Sequence, residues 1–222
     1  MTDPKPVTQL CLQYIAPGDA SASLKRLARA LDVAVFSSVI VSGPPGMAID
    51  AATAHPLVEH LQSKGIAALI YGDAALARAL HADGVHVPWV HNIQAAYTEA
   101  REILGTRFIV GADAGRSRHD AMQLAETGAD YIGFGIPAHV EDRVTASERR
   151  LDLAAWWAEI FEVPVMALDV ETAHDVSLLS AVRTDFIALR LAHGASDLDF
   201  ETQLQTMVVA RACLPVASHV PV

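Results

Sequence analysis

A chain of 222 residues that is 52% hydrophobic holds enough apolar material for one large core. Its formal net charge of −10, without any basic run, argues against DNA or RNA as a partner. The two cysteines, Cys11 and Cys213, lie near opposite ends and form neither a zinc spacing nor a disulfide framework.

The first residues, MTDPKPVTQ, are polar and lack the apolar stretch of a signal peptide. The longest apolar run, VAVFSSVIV, is too short to span a bilayer. A soluble, cytoplasmic protein with no membrane partner is expected.

Short β-branched runs then alternate with longer amphipathic ones. Strands are predicted at QLCLQYI, VAVFSSVIV, AALIY and GVHV in the first half. RFIVGA, YIGFG, VPVMAL and FIALR follow in the second. Both faces of these runs are apolar, as in a parallel sheet covered by helices. Between them lie ASLKRLARAL, PLVEHLQSKG, DAALARALHA, NIQAAYTEAREILG, RHDAMQLAETG, RRLDLAAWWAEIF and TAHDVSLLSAV, each with apolar residues at helical spacing. A last helix, DLDFETQLQTMVVARA, follows the eighth strand. Eight strand–helix pairs predict a single TIM-barrel domain over residues 1–222, an α/β fold with eight parallel strands. A doubly wound open sheet is the alternative, but the glycine fingerprint that opens its first helix is missing.

The second half repeats itself. SRHDAMQLAETGADYIGFG, from Ser117, aligns without a gap to TAHDVSLLSAVRTDFIALR, from Thr172. HADGVHV is a third, partial copy. Ser117 and His119 resemble a serine–histidine pair. The pattern hydroxyl-x-x-acid before an apolar run is also a helix N-cap, and Thr172 and Asp175 repeat it. Two copies favour architecture. Trp156 and Trp157 are read as helix-to-barrel packing.

In such a barrel the chemistry sits at the C-terminal ends of the strands. Candidates there are Ser42 to Gly46, Tyr71, Asp73, His86, Trp89, His91, Asp113, Arg116, His139, Glu141, Asp142, Arg143, Asp169, Arg190 and His193. His139, in a loop beside two acids, is the candidate acid–base residue, or else a solvated loop side chain. Asp73, Asp113 and Asp169 could converge on a metal, and each also suits a helix N-terminus. Arg190 could hold a phosphate or carboxylate of a ligand with its planar fork, or pair with Asp169. Tyr71, His86, Ser117, Arg143 and Arg190 are the candidate residues for binding a small molecule.

These residues resemble a known family. HADGVHV, SRHDAMQLAETGADYIGFG and VPVMAL resemble, in order, motifs of the thiamine phosphate synthase and thiazole tautomerase family. The resemblance implies a TIM barrel that joins a pyrimidine diphosphate to a thiazole phosphate with Mg2+, releasing pyrophosphate. It also implies a homodimer. The family's Gln-x-Arg-x-Lys, which grips pyrophosphate, is replaced here by VIVSGPPG. Its Asn-Asp-Arg is replaced by YGD, leaving Asp73 near the metal position. VPWVHN stands where a Gln and a second metal Asp would follow the fourth strand. The Thr-x-Thr-Lys of its sixth loop is absent, and its Gly-Gly phosphate cradle becomes Asp169-Val170. The tautomerase branch carries a loop His in G-H-V-F-E, which resembles His139-Val140-Glu141 and implies acid–base chemistry. A divergent synthase is therefore expected, with a His139 isomerase and a non-catalytic metabolite- or partner-binding barrel as alternatives.

Overall fold

Eight strands close into one parallel barrel in chain order, each followed by a helix, in a computed structural model that describes residues 7–136, 140–191 and 196–212. The strands are β1 Gln9–Ile15, β2 Ser38–Ser42, β3 Ala67–Tyr71 and β4 Gly84–Val87, then β5 Ile109–Asp113, β6 Ile132–Phe134, β7 Val165–Val170 and β8 Phe186–Arg190. The helices are α1 Ala20–Val33, α2 Ala51–Ser63, α3 Ala74–Ala79 and α4 Ile93–Leu104, then α5 Arg118–Glu126, α6 Arg143–Ile160, α7 Ala173–Ala181 and α8 Asp197–Ala212. The predicted TIM barrel is the observed fold. Among the described residues no helix is long and apolar enough to cross a membrane.

Three boundaries differ from expectation. Val33 to Val35 were predicted to open β2, but α1 runs through Val33 and Val35 is 89% exposed on the turn that follows. α2 begins at Ala51 rather than at Pro56, because Asp50 caps it by accepting from the Thr53 N–H at 2.9 Å. Pro56 then sits inside the helix and leaves one backbone hydrogen bond unmade. α6 begins at Arg143, where the Asp142 carboxylate accepts from the Thr145 N–H at 3.0 Å.

Two apolar layers hold the ring. A small inner cluster of Cys11, Ile40, Leu69, Tyr131, Met166, Leu168 and Ala188 fills the barrel. The larger layer packs the helices onto the strands, with Trp157 buried against Phe134 and Phe161 as the sequence led one to expect. Burial of this kind contributes about 25 cal/mol per Å2 of apolar surface.

The internal repeat has a structural reason. Asp83, Asp130 and Asp185 each stand just before an even-numbered strand. Their carboxylates accept backbone N–H groups of the preceding odd strand, from Ala68 at 2.8 Å, Val110 at 2.7 Å and Val165 at 2.9 Å. Two residues before each Asp the helix is stopped by a left-handed residue: His81 at φ 53°, Gly128 at 96° and Arg183 at 58°. The helices themselves start alike. Ser117 and Thr172 accept from the N–H groups of Asp120 and Asp175 at 3.1 Å each, so the cap reading holds.

Candidate active site at the barrel mouth

A cavity of about 430 Å3 opens at the C-terminal ends of the strands, the face where barrel chemistry occurs. Its wall includes the SGPPG turn after β2, Tyr71, His86, Trp89, Asp113, Asp169 and Arg190.

Gln13, Asp169 and Arg190 come from three adjacent strands. Gln13 and Arg190 are register partners across β1 and β8. Nη1 of Arg190 donates to Oδ1 of Asp169 at 2.8 Å, and Nε2 of Gln13 donates to the same oxygen at 3.4 Å. The other end of Gln13 accepts the Asp169 N–H at 2.6 Å. Oδ2 of Asp169 accepts the Ile136 N–H at 2.9 Å. Asp169 adopts φ 55°, a left-handed backbone that costs an L side chain of this kind roughly 1 kcal/mol. A register shift in β7 between Ala167 and Val170 goes with it. Buried Arg150 fixes the shifted turn from behind, donating to the Leu168 and Asp169 carbonyls at 2.8 Å each. Its Nη2 reaches Ser147 at 3.0 Å and Asp175 at 3.2 Å.

Asp113 faces Asp169 across Gly135. A Cβ on Gly135 would lie 2.6 Å from Oδ2 of Asp113 and 3.0 Å from Oδ2 of Asp169, so a side chain there would force at least one carboxylate to move. Oδ1 of Asp113 accepts the N–H groups of Gly115 at 2.7 Å and Gly135 at 3.1 Å. Loss of water around Asp113, opposed by those two N–H groups and reinforced by the charge of Asp169, pushes its carboxyl up to about 7. Below this level Nδ1 of buried His86 lies 2.8 Å from the Tyr131 hydroxyl, with the rings stacked. Burial brings His86 down to about 4, so it is neutral at physiological pH.

Of the residues singled out from the sequence, Tyr71, His86, Asp113, Asp169 and Arg190 meet in this cavity. Ser117 does not line it and serves as the N-cap of α5. Arg143 begins α6, pairs with Glu171 at 3.3 Å and borders a second cavity between α6 and α7. Asp73 caps α3 through the Leu76 N–H at 2.8 Å and borders a third cavity beside α4. His139 and His193 lie outside the described residues. Gln13, Tyr131 and Arg150 went unnoticed in the sequence. The signal for the first and last was a polar side chain inside an otherwise apolar strand or helix face.

The magnesium that the resemblance implies does not fit the side chains present. Asp73 and Asp113 stand in separate cavities, and the charge of Asp169 is already paired with Arg190. Among the described residues no group of three or more His, Cys, Asp or Glu side chains could hold a metal ion.

The family model described as thiamine monophosphate synthase matches residues 20–192. The chain belongs to the thiamine monophosphate synthase family. A thiamine-phosphate synthase of Hyphomonas neptunium is 35% identical over 202 residues, covering 85% of this chain and 88% of the relative. One from Rhodospirillum centenum is 31% identical, covering 84% and 82% respectively. Among solved structures, a thiamine phosphate pyrophosphorylase from Pyrococcus furiosus superposes with a TM-score of 0.67 over 92% of this chain and 95% of that one. Its identity of 18% speaks to the fold alone. These likenesses place this family member with synthases, and neither the isomerase nor the binding-only alternative is favoured by them.

Proposed function

We propose that the protein is a transferase of thiamine biosynthesis that joins a pyrimidine diphosphate to a thiazole less phosphorylated than the family's usual one and releases pyrophosphate. The family match carries this reading, because residues 20–192 include β2 through β8, whose ends wall the mouth cavity. The shift toward less phosphate is supported by the composition of that wall. Among the described residues Arg190 is its only Lys or Arg, and Asp113 and Asp169 stand beside it. The SGPPG turn supplies few N–H donors, since two of its residues are prolines. Tyr71 and Trp89 offer aromatic surface on which a planar heterocycle can stack.

The magnesium of the family would have to arrive with substrate phosphates rather than be held by a protein cage, a mode that Mg2+ commonly uses. A homodimer belongs to the same reading, and light scattering of the purified protein checks it.

The decisive experiment follows pyrophosphate release from pyrimidine diphosphate with either thiazole phosphate or the thiazole alcohol, with and without Mg2+. Release is expected, and faster with the alcohol. Folded protein that releases nothing at high concentration with either thiazole would refute the transferase assignment.

A further inference from the structure

Three hydrogen-bond donors from three different segments converge on the Asp169 carboxylate. Arg190 approaches at 2.8 Å, the Ile136 N–H at 2.9 Å and Gln13 at 3.4 Å. A guanidinium and a side-chain amide on one oxygen and a backbone N–H on the other form a donor set that binds an anionic oxygen group. Here that group is part of the chain. The backbone at Asp169 is left-handed, at φ 55°, a conformation that glycine adopts without strain. The position thus carries a side chain where the backbone alone would favour none, and the side chain fills the donor set. Asp113 stands on the opposite side of Gly135 and adds a second carboxyl facing the same space.

We infer that Asp169 is the specificity-determining residue at the β7 side of the mouth: its carboxylate occupies an anion-binding position, so this position turns phosphate away and selects a ligand group that donates a hydrogen bond or carries positive charge, while the diphosphate of the other substrate lies elsewhere in the mouth. This rests on the reading that the mouth is the ligand site. The donors hold Asp169 and cannot also hold a phosphate. A phosphate brought to this position would meet two carboxyl groups and one arginine that is already paired. A hydroxyl or amino group would instead find acceptors in Asp169 and in Oδ2 of Asp113.

The test measures binding of inorganic phosphate and of pyrophosphate by calorimetry to the wild-type protein, Asp169→Gly and Asp169→Asn. Asp169→Gly keeps the backbone conformation and releases all three donors. It is expected to bind pyrophosphate at least tenfold more tightly than the wild type, and Asp169→Gly/Arg190→Gln is expected to lose that gain. Asp169→Asn keeps the volume but removes the charge and should fall between the two. It decides the matter if the glycine variant does not fold. Equal affinity for pyrophosphate in the wild type and in either folded variant would overturn the inference, as would a gain that survives loss of Arg190. These are binding measurements on the protein without turnover. Failure of the pyrophosphate-release experiment would therefore leave them standing, and their failure would leave the transferase assignment standing.

Discussion

The Tyr131 hydroxyl and Nδ1 of His86 lie 2.8 Å apart inside the barrel, each the other's hydrogen-bond partner. Tyr131→Phe keeps the ring that packs in the inner cluster and removes only that partner. The buried imidazole nitrogen then loses its bond, which is expected to cost about 1–3 kcal/mol. A urea denaturation curve reads the change, and an unshifted midpoint would show the pair to be idle.

The pH dependence of stability has two opposed contributions. His86 falls from 6.5 to about 4 on folding, so the unfolded chain binds more protons between those values. Its contribution to stability is present above 6.5 and is lost as pH falls toward 4. Asp113 rises from 3.8 to about 7, so here the folded chain binds more protons. Its contribution is present below 3.8 and is lost as pH rises toward 7. Asp113→Asn removes the second effect while its amide oxygen can still accept from Gly115 and Gly135. The variant is expected to be more stable than the wild type at pH 8, by on the order of 2 kcal/mol. Its stability should also climb more steeply between pH 4 and 6.5, where His86 then acts unopposed. Parallel curves for the two proteins in chemical denaturation across that range would contradict this.

Arg150 is buried, with 1% of its side chain exposed, and still makes contacts to two carbonyls, Ser147 and Asp175. Removing it takes the guanidinium from the β7 carbonyls and leaves Asp175 only the Ser147 hydroxyl, at 2.6 Å. Arg150→Ala is expected to lower stability by about 3–5 kcal/mol. Arg150→Lys should recover little of this, because a single ammonium cannot span the fork. Melting temperatures of both variants check the order.

The left-handed residues that end α3 and α7 are His81 and Arg183, where α5 uses Gly128. Glycine at the first two positions relieves the backbone without touching the core. His81→Gly and Arg183→Gly are each expected to stabilise by about 0.5–1 kcal/mol. A lowered melting temperature would mean that their side chains hold contacts worth more than the strain.

Ser117 and Thr172 cap their helices and lie away from the mouth. Each alanine variant should lose about 1 kcal/mol, and the two losses should add. Turnover per folded molecule should not change. A drop in turnover at Ser117→Ala with stability intact would restore that residue to the site.

The barrel was legible in the sequence because its strands are apolar on both faces and its helices carry a 3.6-residue period. Even the repeat pointed to real architecture, since Asp83, Asp130 and Asp185 do the same work at three places. What escaped was tertiary. Nothing local in QLCLQYI says that Gln13 reaches Asp169, a residue 156 positions away. Tyr131 looked like a core aromatic, and its hydroxyl acquires meaning only when His86 is placed beside it. Asp73 and Asp113 looked equivalent at strand ends, yet one is turned to its helix and the other to the cavity. Strand-end position is visible in a sequence, and the direction of a side chain there is not.

The aspartate stitches have a consequence for the order in which the molecule forms. Each spans only 15 or 20 residues, joining β3 to β4, β5 to β6 and β7 to β8. Short loops close at low entropic cost, so these strand pairs can assemble early and separately. The β1–β8 seam is different, because it brings together opposite ends of the chain, and the Gln13–Asp169 link lies beside it. The mouth should therefore be the last part of the protein to exist during refolding. In a stopped-flow experiment, helical ellipticity would recover first, and ligand binding would return only with ring closure.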